Sequence, residues 1–88
     1  MKIRIQFPEE MSKFSPVAHE RRLEHIDDIL LWAMESDMYA EFYSSHYERT
    51  PTHKFVGAWA VFTVEPENMV MFMLRWGARL HKDRKKND

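Results

Sequence analysis

Residues 54–80 read KFVGAWAVFTVEPENMVMFMLRWGARL, and this stretch decides the fold. Phe55 to Val64 is apolar on both of the faces that a strand presents, which is typical of a strand at the centre of a sheet. Pro66 and Glu67 then suit the first turn of a helix, where proline needs no hydrogen-bond acceptor and the helix dipole favours an acid. The stretch therefore predicts a central strand, a short turn and an amphipathic helix.

The helix of this stretch has one apolar and one basic face on a helical wheel. The apolar face holds Met69, Val70, Met73, Trp76, Gly77 and Leu80. The basic face holds Arg75, Arg79, Lys82 and Lys86. Because the apolar stripe continues through Gly77, we expect the helix to reach about Lys82, with this glycine at a close approach to the sheet. Residues 82–88 are expected to fray.

The basic helix face has two possible roles. It can bind an anionic partner through Arg75, Arg79, Lys82 and Lys86, or it can be the solvated side of a terminal helix. The charge distribution bears on this choice, because residues 1–50 carry a net charge of −4 and residues 51–88 a net charge of +3. Any partner selected by the electrostatics of the C-terminal part is therefore anionic.

Composition limits the class of protein. The 88 residues fit one domain, and 44% hydrophobic with 31% charged residues indicates a folded rather than a disordered chain. The absence of cysteine excludes a disulfide scaffold and thiol chemistry. No apolar run approaches the roughly 20 residues that a membrane span needs, so we expect a cytoplasmic protein without membrane contact.

The first half of the chain supplies three further elements. Lys2 to Phe7 alternates apolar and polar residues and predicts a half-buried strand. Ser15 and Pro16 predict the start of a helix that runs to about Ser36. Met38 to Ser45 alternates again, and 44–53 is interpreted as the connection to the central strand.

The element order predicts an α+β fold. Strand, helix, strand, strand, helix corresponds to a ferredoxin-like βαββα arrangement over residues 1–88, with a three-stranded antiparallel or mixed sheet and two helices on one face. The first and third strands are expected to be central neighbours. Because no fourth strand is predicted, the sheet is left with an open edge, which self-association would cover.

The sheet face opposite the helices is the principal candidate surface. It is predicted to carry Lys2, Arg4, Gln6, Tyr39, Glu41, Tyr43, Phe55, Gly57, Trp59 and Val61. We favour the hypothesis that Tyr39, Tyr43, Phe55 and Trp59 bind protein, either a second copy in a homodimer or a host protein, since an exposed aromatic patch commonly marks a protein contact. The alternative is that the rings stack on single-stranded nucleic acid.

A resemblance supports that alternative. Residues 56–68, VGAWAVFTVEPEN, distantly resemble the third strand and following helix start of RNA-recognition motifs, with Trp59 at a stacking position. The sequence departs from that pattern by a displaced glycine, by Arg4 where an aromatic residue is expected, and by the missing fourth strand. The resemblance implies nucleic-acid binding through Trp59, Phe55, Arg4 and Lys2, together with the basic helix face.

A second resemblance concerns origin. A strand that ends in F-T-V, an acidic turn with proline and the helix M-V-M-F-M-L-R-W-G are similar to the C-terminal half of small uncharacterised proteins of tailed bacteriophages. The similarity covers about a quarter of the chain. It implies action in the cytoplasm of a bacterial host, and it brings no known activity or catalytic residue.

Catalytic and metal-binding patterns are lacking in the sequence. Two glycines cannot form a phosphate loop, and Asp27 and Asp28 point apart on a helix. The five histidines lack metal-ligand spacing; His19 and His25, for example, are six residues apart. We therefore expect a non-enzymatic interaction protein without metal or cofactor. Met71 and Phe72, at the margins of the second helix's apolar face, belong to a methionine-rich segment of the kind that also forms adaptable binding surfaces.

Overall fold

The computed structural model describes residues 1–13, 15–49 and 55–81. Within them, the elements in chain order are β1 (Lys2–Gln6), α1 (Pro16–Glu35), β2 (Ala40–Arg49), β3 (Phe55–Val64), α2 (Met69–Trp76) and β4 (Arg79–Leu80). Short 3-10 turns at Glu9–Met11 and Pro66–Asn68 precede the two helices. The strands form one antiparallel sheet in the order β2-β3-β1-β4. The described chain is thus α+β, with two helices and a four-stranded antiparallel sheet.

Strand β1 lies at the centre of the sheet. It pairs with β3 on one side, as predicted, and Ile3 lies opposite Phe62 there. On its other side it pairs with β4, where Ile3 is opposite Leu80 and Arg4 is opposite Arg79. The prediction of three strands is therefore wrong, and the edge of β1 that was expected to be open holds β4.

The fourth strand forms because α2 ends at Trp76. Gly77 has a left-handed backbone, with φ 67° and ψ 29°, and its N–H donates to the carbonyl of Met73. Glycine adopts this conformation without steric cost and commonly ends helices in this way. A Cβ at Gly77 would meet nothing within 4 Å. The prediction of a close approach inside a longer helix is therefore wrong, because the local preference of glycine outweighed the apolar periodicity.

Helix α1 begins as predicted. The Ser15 hydroxyl accepts a hydrogen bond from the Ala18 N–H at 3.1 Å, and Pro16 occupies the first helical position. The buried residues are Ala18, Arg22, Ile26, Ile29 and Ala33. Leu23 and Met34, apolar residues of the same helix, are exposed because they lie about 100–120° round the wheel from the centre of this stripe.

Both helices pack on one face of the sheet. Ile3, Ile5 and Phe62 form the sheet side of the core, together with Ala58 and Ala60, whose small side chains let the helices sit close. Ile29 of α1 and Phe72 of α2 are fully buried against them, and the Trp32 ring packs edge-on against Phe72 at 5.1 Å. The surfaces available for binding are therefore the opposite sheet face and the outer sides of the helices.

Strand β2 is longer than predicted. It pairs with β3 from Ala40 opposite Val64 to Arg49 opposite Phe55, with irregular register between Phe42 and Ser44 and between Glu48 and Arg49. Residues 44–49, interpreted from the sequence as part of a connection, are therefore strand. The remainder of that connection and the C-terminal tail lie outside the described residues.

None of the helices in the described segments combines the length and the apolar character that a membrane span requires.

The open face of the sheet as a candidate binding site

The sheet face without helices is lined by the alternate residues of its strands. Arg4 and Gln6 of β1 lie on this face, because their neighbours Ile3 and Ile5 point into the core. Val61 lies opposite Arg4 on the same face and is 0% exposed, although no described helix covers it. The side chains of this face must therefore cover one another.

Cations and aromatic rings are in contact with one another on this face. The Arg4 guanidinium lies 5.1 Å from the centroid of the Trp59 ring, and the Lys2 Nζ lies 3.9 Å from that of Tyr43. The His46 ring stacks on Trp59 with the centroids 5.8 Å apart. Cation–π contacts of this kind attract weakly at exposed sites and more strongly where water is excluded. The open face is thus a layer in which positive charge and aromatic surface are in direct contact.

The ring row continues toward β4. His81, which follows β4, stacks on His46 at a centroid distance of 6.0 Å. The Ser44 Oγ lies 2.8 Å from the Nε2 of His46, which fixes the orientation of that imidazole. Trp59, His46 and His81 therefore form a continuous row of rings on this face.

A groove opens between β3, β1 and β4. It encloses about 360 Å³, which lies in the range typical of small-ligand sites. Its lining residues are Arg4, Gln6, Glu48, Gly57, Trp59, Gly77, Arg79 and Leu80. The lining contains two guanidinium groups, of Arg4 and Arg79, and one carboxylate, of Glu48. Its net positive charge favours an anionic ligand.

The two arginines of the groove are direct cross-strand neighbours, Arg4 on β1 and Arg79 on β4. Like charges placed opposite each other on neighbouring strands destabilise a sheet. Neither guanidinium forms an ion pair with a carboxylate of the described residues. An anion bound between them would relieve this repulsion.

The groove wall also contains an unused hydrogen-bond donor. The Nε1 of Trp59 is buried and has no hydrogen-bond partner in the described part of the chain. A buried donor without an acceptor costs about 1–3 kcal/mol. Trp59 therefore combines a ring stacked on His46 with a buried donor that has no acceptor in the described part of the chain.

The structure separates the four aromatic residues predicted to bind a partner. Trp59 lines the groove, and Tyr43 lies on the same face beneath Lys2. Tyr39 precedes β2 and lines a separate depression near the end of α1. Phe55 begins β3, and its side chain lies outside what the structure describes. Of the three aromatic side chains that the structure describes, Trp59 and Tyr43 are thus brought to one surface and Tyr39 is not.

Tyr39 has a local partner instead. Its hydroxyl donates to the Glu41 Oε2 at 2.6 Å. This hydrogen bond, with the negative charge of Glu41, raises the pKa of Tyr39 above its usual value. The ring is about half exposed, so its hydroxyl is held while one side of the ring remains open to solvent.

The predicted basic helix face is divided as well. Arg75 remains on α2, with its guanidinium 4.6 Å from the Trp76 ring on the helix side of the molecule. Arg79 lies on β4 and joins Trp59 in the groove. Lys82 and Lys86 lie outside the described residues. The prediction of a basic stripe along one helix is therefore wrong. Arg79, which the sequence assigned to that helix, lies in the sheet instead.

Sequence reasoning missed His46, Glu48 and Arg79 as members of the face. The alternation of Ser44, His46 and Glu48 was a usable signal, because it continues the strand pattern in polar residues. Gly77 was the signal for Arg79, as a glycine after a helix-length apolar run marks a helix end. Within the described residues, no group of three His, Asp or Glu side chains is arranged to hold a metal ion.

No family model matches this chain, and neither the curated proteins nor the solved structures yield a match. Its candidate function therefore rests on the geometry of the open face and on the outer surfaces of the helices.

Proposed function

We propose that this chain is a non-enzymatic protein whose open sheet face binds single-stranded nucleic acid. The observation that carries the proposal is the position of Arg79, directly across from Arg4 and in the same groove as Trp59. Single-stranded nucleic acid offers phosphates for such cations and bases for such rings, and proteins that bind it combine both features on one surface.

The parts of the face match the parts of a nucleotide. The groove, with its two guanidinium groups, is large enough for one nucleotide and suits its phosphate. Tyr43, which is 56% exposed, offers a ring on which a base can stack. Arg4 can bind a phosphate or stack on a base, because bases also stack on the guanidinium plane of arginine. The strand would run across β1 and β3, with Lys2 and Arg4 near its backbone.

The topology supports the same location. We propose that the strand order β4-β1-β3-β2, with α1 between β1 and β2 and α2 between β3 and β4, is a ferredoxin-like arrangement of the βαββαβ type. Strand β4 supplies the fourth strand whose absence was one departure from the pattern of RNA-recognition motifs. The likeness is one between folds, and the charges and rings of the face carry the chemistry.

The test is a titration of a fluorescein-labelled ten-nucleotide DNA, followed by anisotropy, at salt concentrations from 50 to 200 mM. We expect saturable binding that weakens steeply with salt. Arg79→Gln should weaken it about 5- to 10-fold and reduce the slope of log affinity against log salt by about one. The matched control is Arg75→Gln, which removes the same charge from α2.

Two results would contradict the proposal. One is a flat titration of the natural protein at 50 mM salt. The other is an equal loss in Arg75→Gln and Arg79→Gln, which would show that only the overall charge attracts the oligonucleotide.

Protein binding through the aromatic residues is the second candidate function. It is favoured by the exposure of Tyr39 and Tyr43 and would involve a second copy or, if the bacteriophage origin holds, a bacterial host protein. Light scattering over a range of concentrations distinguishes the two candidates. A dimer that Tyr43→Ser dissociates, without oligonucleotide binding, would favour this candidate over the first.

A further inference from the structure

Helix α2 has apolar residues on its solvent side as well as toward the core, and the exposed Arg75 is its one charged residue. Residues 69–74 read MVMFML, whereas a surface helix normally carries polar residues on the side that faces solvent. Phe72 is fully buried, but Val70 is 61%, Met71 50%, Met73 46% and Leu74 80% exposed. The helix therefore presents apolar side chains both to the core and to solvent.

These four exposed residues form one surface, the α2 patch (Val70, Met71, Met73 and Leu74). Val70 and Leu74 are one turn apart on the outer side, opposite Phe72, and the two methionines flank them. Methionine side chains are flexible and polarisable, and such surfaces adapt to the shape of a partner. A contiguous exposed apolar patch on a small domain is typical of a protein contact.

The charges of the neighbouring helix α1 indicate which kind of partner fits the α2 patch. Helix α1 runs beside α2, since Trp32 contacts Phe72 and the His25 ring lies 5.4 Å from that of Trp76. On the same side of α1, at intervals of three residues from His25 and Trp32, come Asp28 and Glu35, both exposed.

The outer surface of α1 is strongly acidic. Its exposed carboxylates are Glu20, Glu24, Asp27, Asp28 and Glu35. Arg21 is exposed among them, whereas Arg22 is buried and donates to the backbone carbonyls of Met11 and Lys13. On the α1 side the α2 patch is therefore bordered by Asp28 and Glu35, with Arg21 two turns before Asp28 in the same row, and the remaining carboxylates lie further round α1.

We propose that the α2 patch binds a basic amphipathic helix of a partner protein. The apolar side of that helix would pack on Val70 and Leu74, and its lysines or arginines would face Asp28 and Glu35. An apolar surface with charge along its border is a known mode of helix recognition, in which apolar anchors provide affinity and charge sets the orientation.

A second copy of this chain fits the patch less well. A symmetric dimer brings the same patch, bordered by the same carboxylates, to both sides of the interface. Apart from Arg75 on α2 and Arg21 on α1, it brings no positive charge from the described part of the two helices to these carboxylates, whereas a basic helix supplies several. The α2 patch also lies on the side of the sheet opposite to the groove, so this inference is independent of nucleic-acid binding.

The experiment uses three labelled 14-residue peptides with blocked ends. The first is a leucine–lysine peptide patterned as an amphipathic helix, the second replaces each lysine with glutamate, and the third contains the first peptide's residues in an order without an apolar face. We expect the full chain to bind the first peptide, and to bind the other two at least tenfold more weakly, in an anisotropy titration.

Variants then locate the site. Leu74→Ser should weaken binding of the leucine–lysine peptide about tenfold without changing oligonucleotide affinity. Val17→Ser, which alters a residue that is also exposed but lies at the start of α1, should leave peptide binding unchanged. Asp28→Asn should weaken binding two- to fivefold, and Glu10→Gln, which removes an exposed carboxylate elsewhere, should not.

Several outcomes would overturn the proposal. If the glutamate or reordered peptide bound as tightly as the leucine–lysine peptide, neither charge nor apolar pattern would select the partner. If Val17→Ser weakened binding as much as Leu74→Ser, the binding site would not be the α2 patch. Concentration-dependent dimerisation that Leu74→Ser abolishes would assign the patch to a second copy instead.

Discussion

The two faces of the sheet achieve burial by different means. On the helix side, Phe62 is covered by apolar side chains of α1 and α2. On the open side, the adjacent residue Val61 is just as buried, yet the groups around it include the Arg4 guanidinium and the rings of Trp59 and His46. A sheet face can therefore exclude water from its centre and still present charged and hydrogen-bonding groups at its surface.

The largest expected effect is on the free energy of unfolding, at two neighbouring positions of β3 that face opposite sides of the sheet. Phe62→Ala should lower the free energy of unfolding by about 3–5 kcal/mol, because it leaves a cavity in the packed core. Val61→Ala should cost only about 1.5 kcal/mol, since two methyl groups are lost from a layer of side chains that can collapse onto the space. Urea denaturation measures both, and an equal cost would show that the open face is packed as rigidly as the core.

A smaller effect of opposite sign is expected at β4. Arg79→Gln removes one of two like charges placed opposite each other, so it should raise the free energy of unfolding by about 0.2–1 kcal/mol while it weakens nucleic-acid binding. Thermal unfolding at low salt measures the gain, with Arg75→Gln as the control for the change in net charge. Destabilisation by Arg79→Gln would indicate that the arginine serves the sheet rather than a ligand.

The smallest effect concerns pH on the helix side. Burial lowers the pKa of His25 below its usual value of 6.5, and the charge of Asp28 partly opposes this shift. The folded state therefore favours neutral His25, so its contribution to stability is complete above pH 6.5 and is lost as the pH falls through the lowered pKa. Thermal unfolding between pH 7.5 and 5 should show a larger loss for the natural protein than for His25→Phe, which keeps a ring beside Trp76. Parallel curves for the two proteins would contradict this assignment.

The elements that sequence predicted well are those whose local and tertiary signals agree. The cap at Ser15 and Pro16 marks the start of α1, and the apolar run of β3 marks the centre of the sheet. The end of α2 was missed because a helical wheel counts apolar positions and ignores the backbone preference of Gly77. The length of β2 was missed because an edge strand needs little apolar content, so polar residues such as His46 resemble a loop.

The candidate site was predictable only in part, for the same reasons. Lys2, Arg4 and Trp59 follow from strand alternation alone. Arg79 and His46 reach the face through the two elements that sequence misassigned. Because Arg79 joins the groove only if α2 ends at Trp76, the periodicity of apolar residues alone does not predict the groove.

Strand β4 forms a short edge wall of the groove. It has two residues, which pair with Ile3 and Arg4, and the His81 N–H extends the pairing to the Lys2 carbonyl at 3.0 Å. So short an edge element opens at a smaller free-energy cost than the central ladder of β1 and β3. Each opening removes Arg79 while the rest of the sheet stays folded. The chain is thereby divided between an assembled and an opened population, and the opened fraction lowers the apparent affinity of the groove. A ligand that bridges Arg4 and Arg79 shifts the chain toward the assembled population.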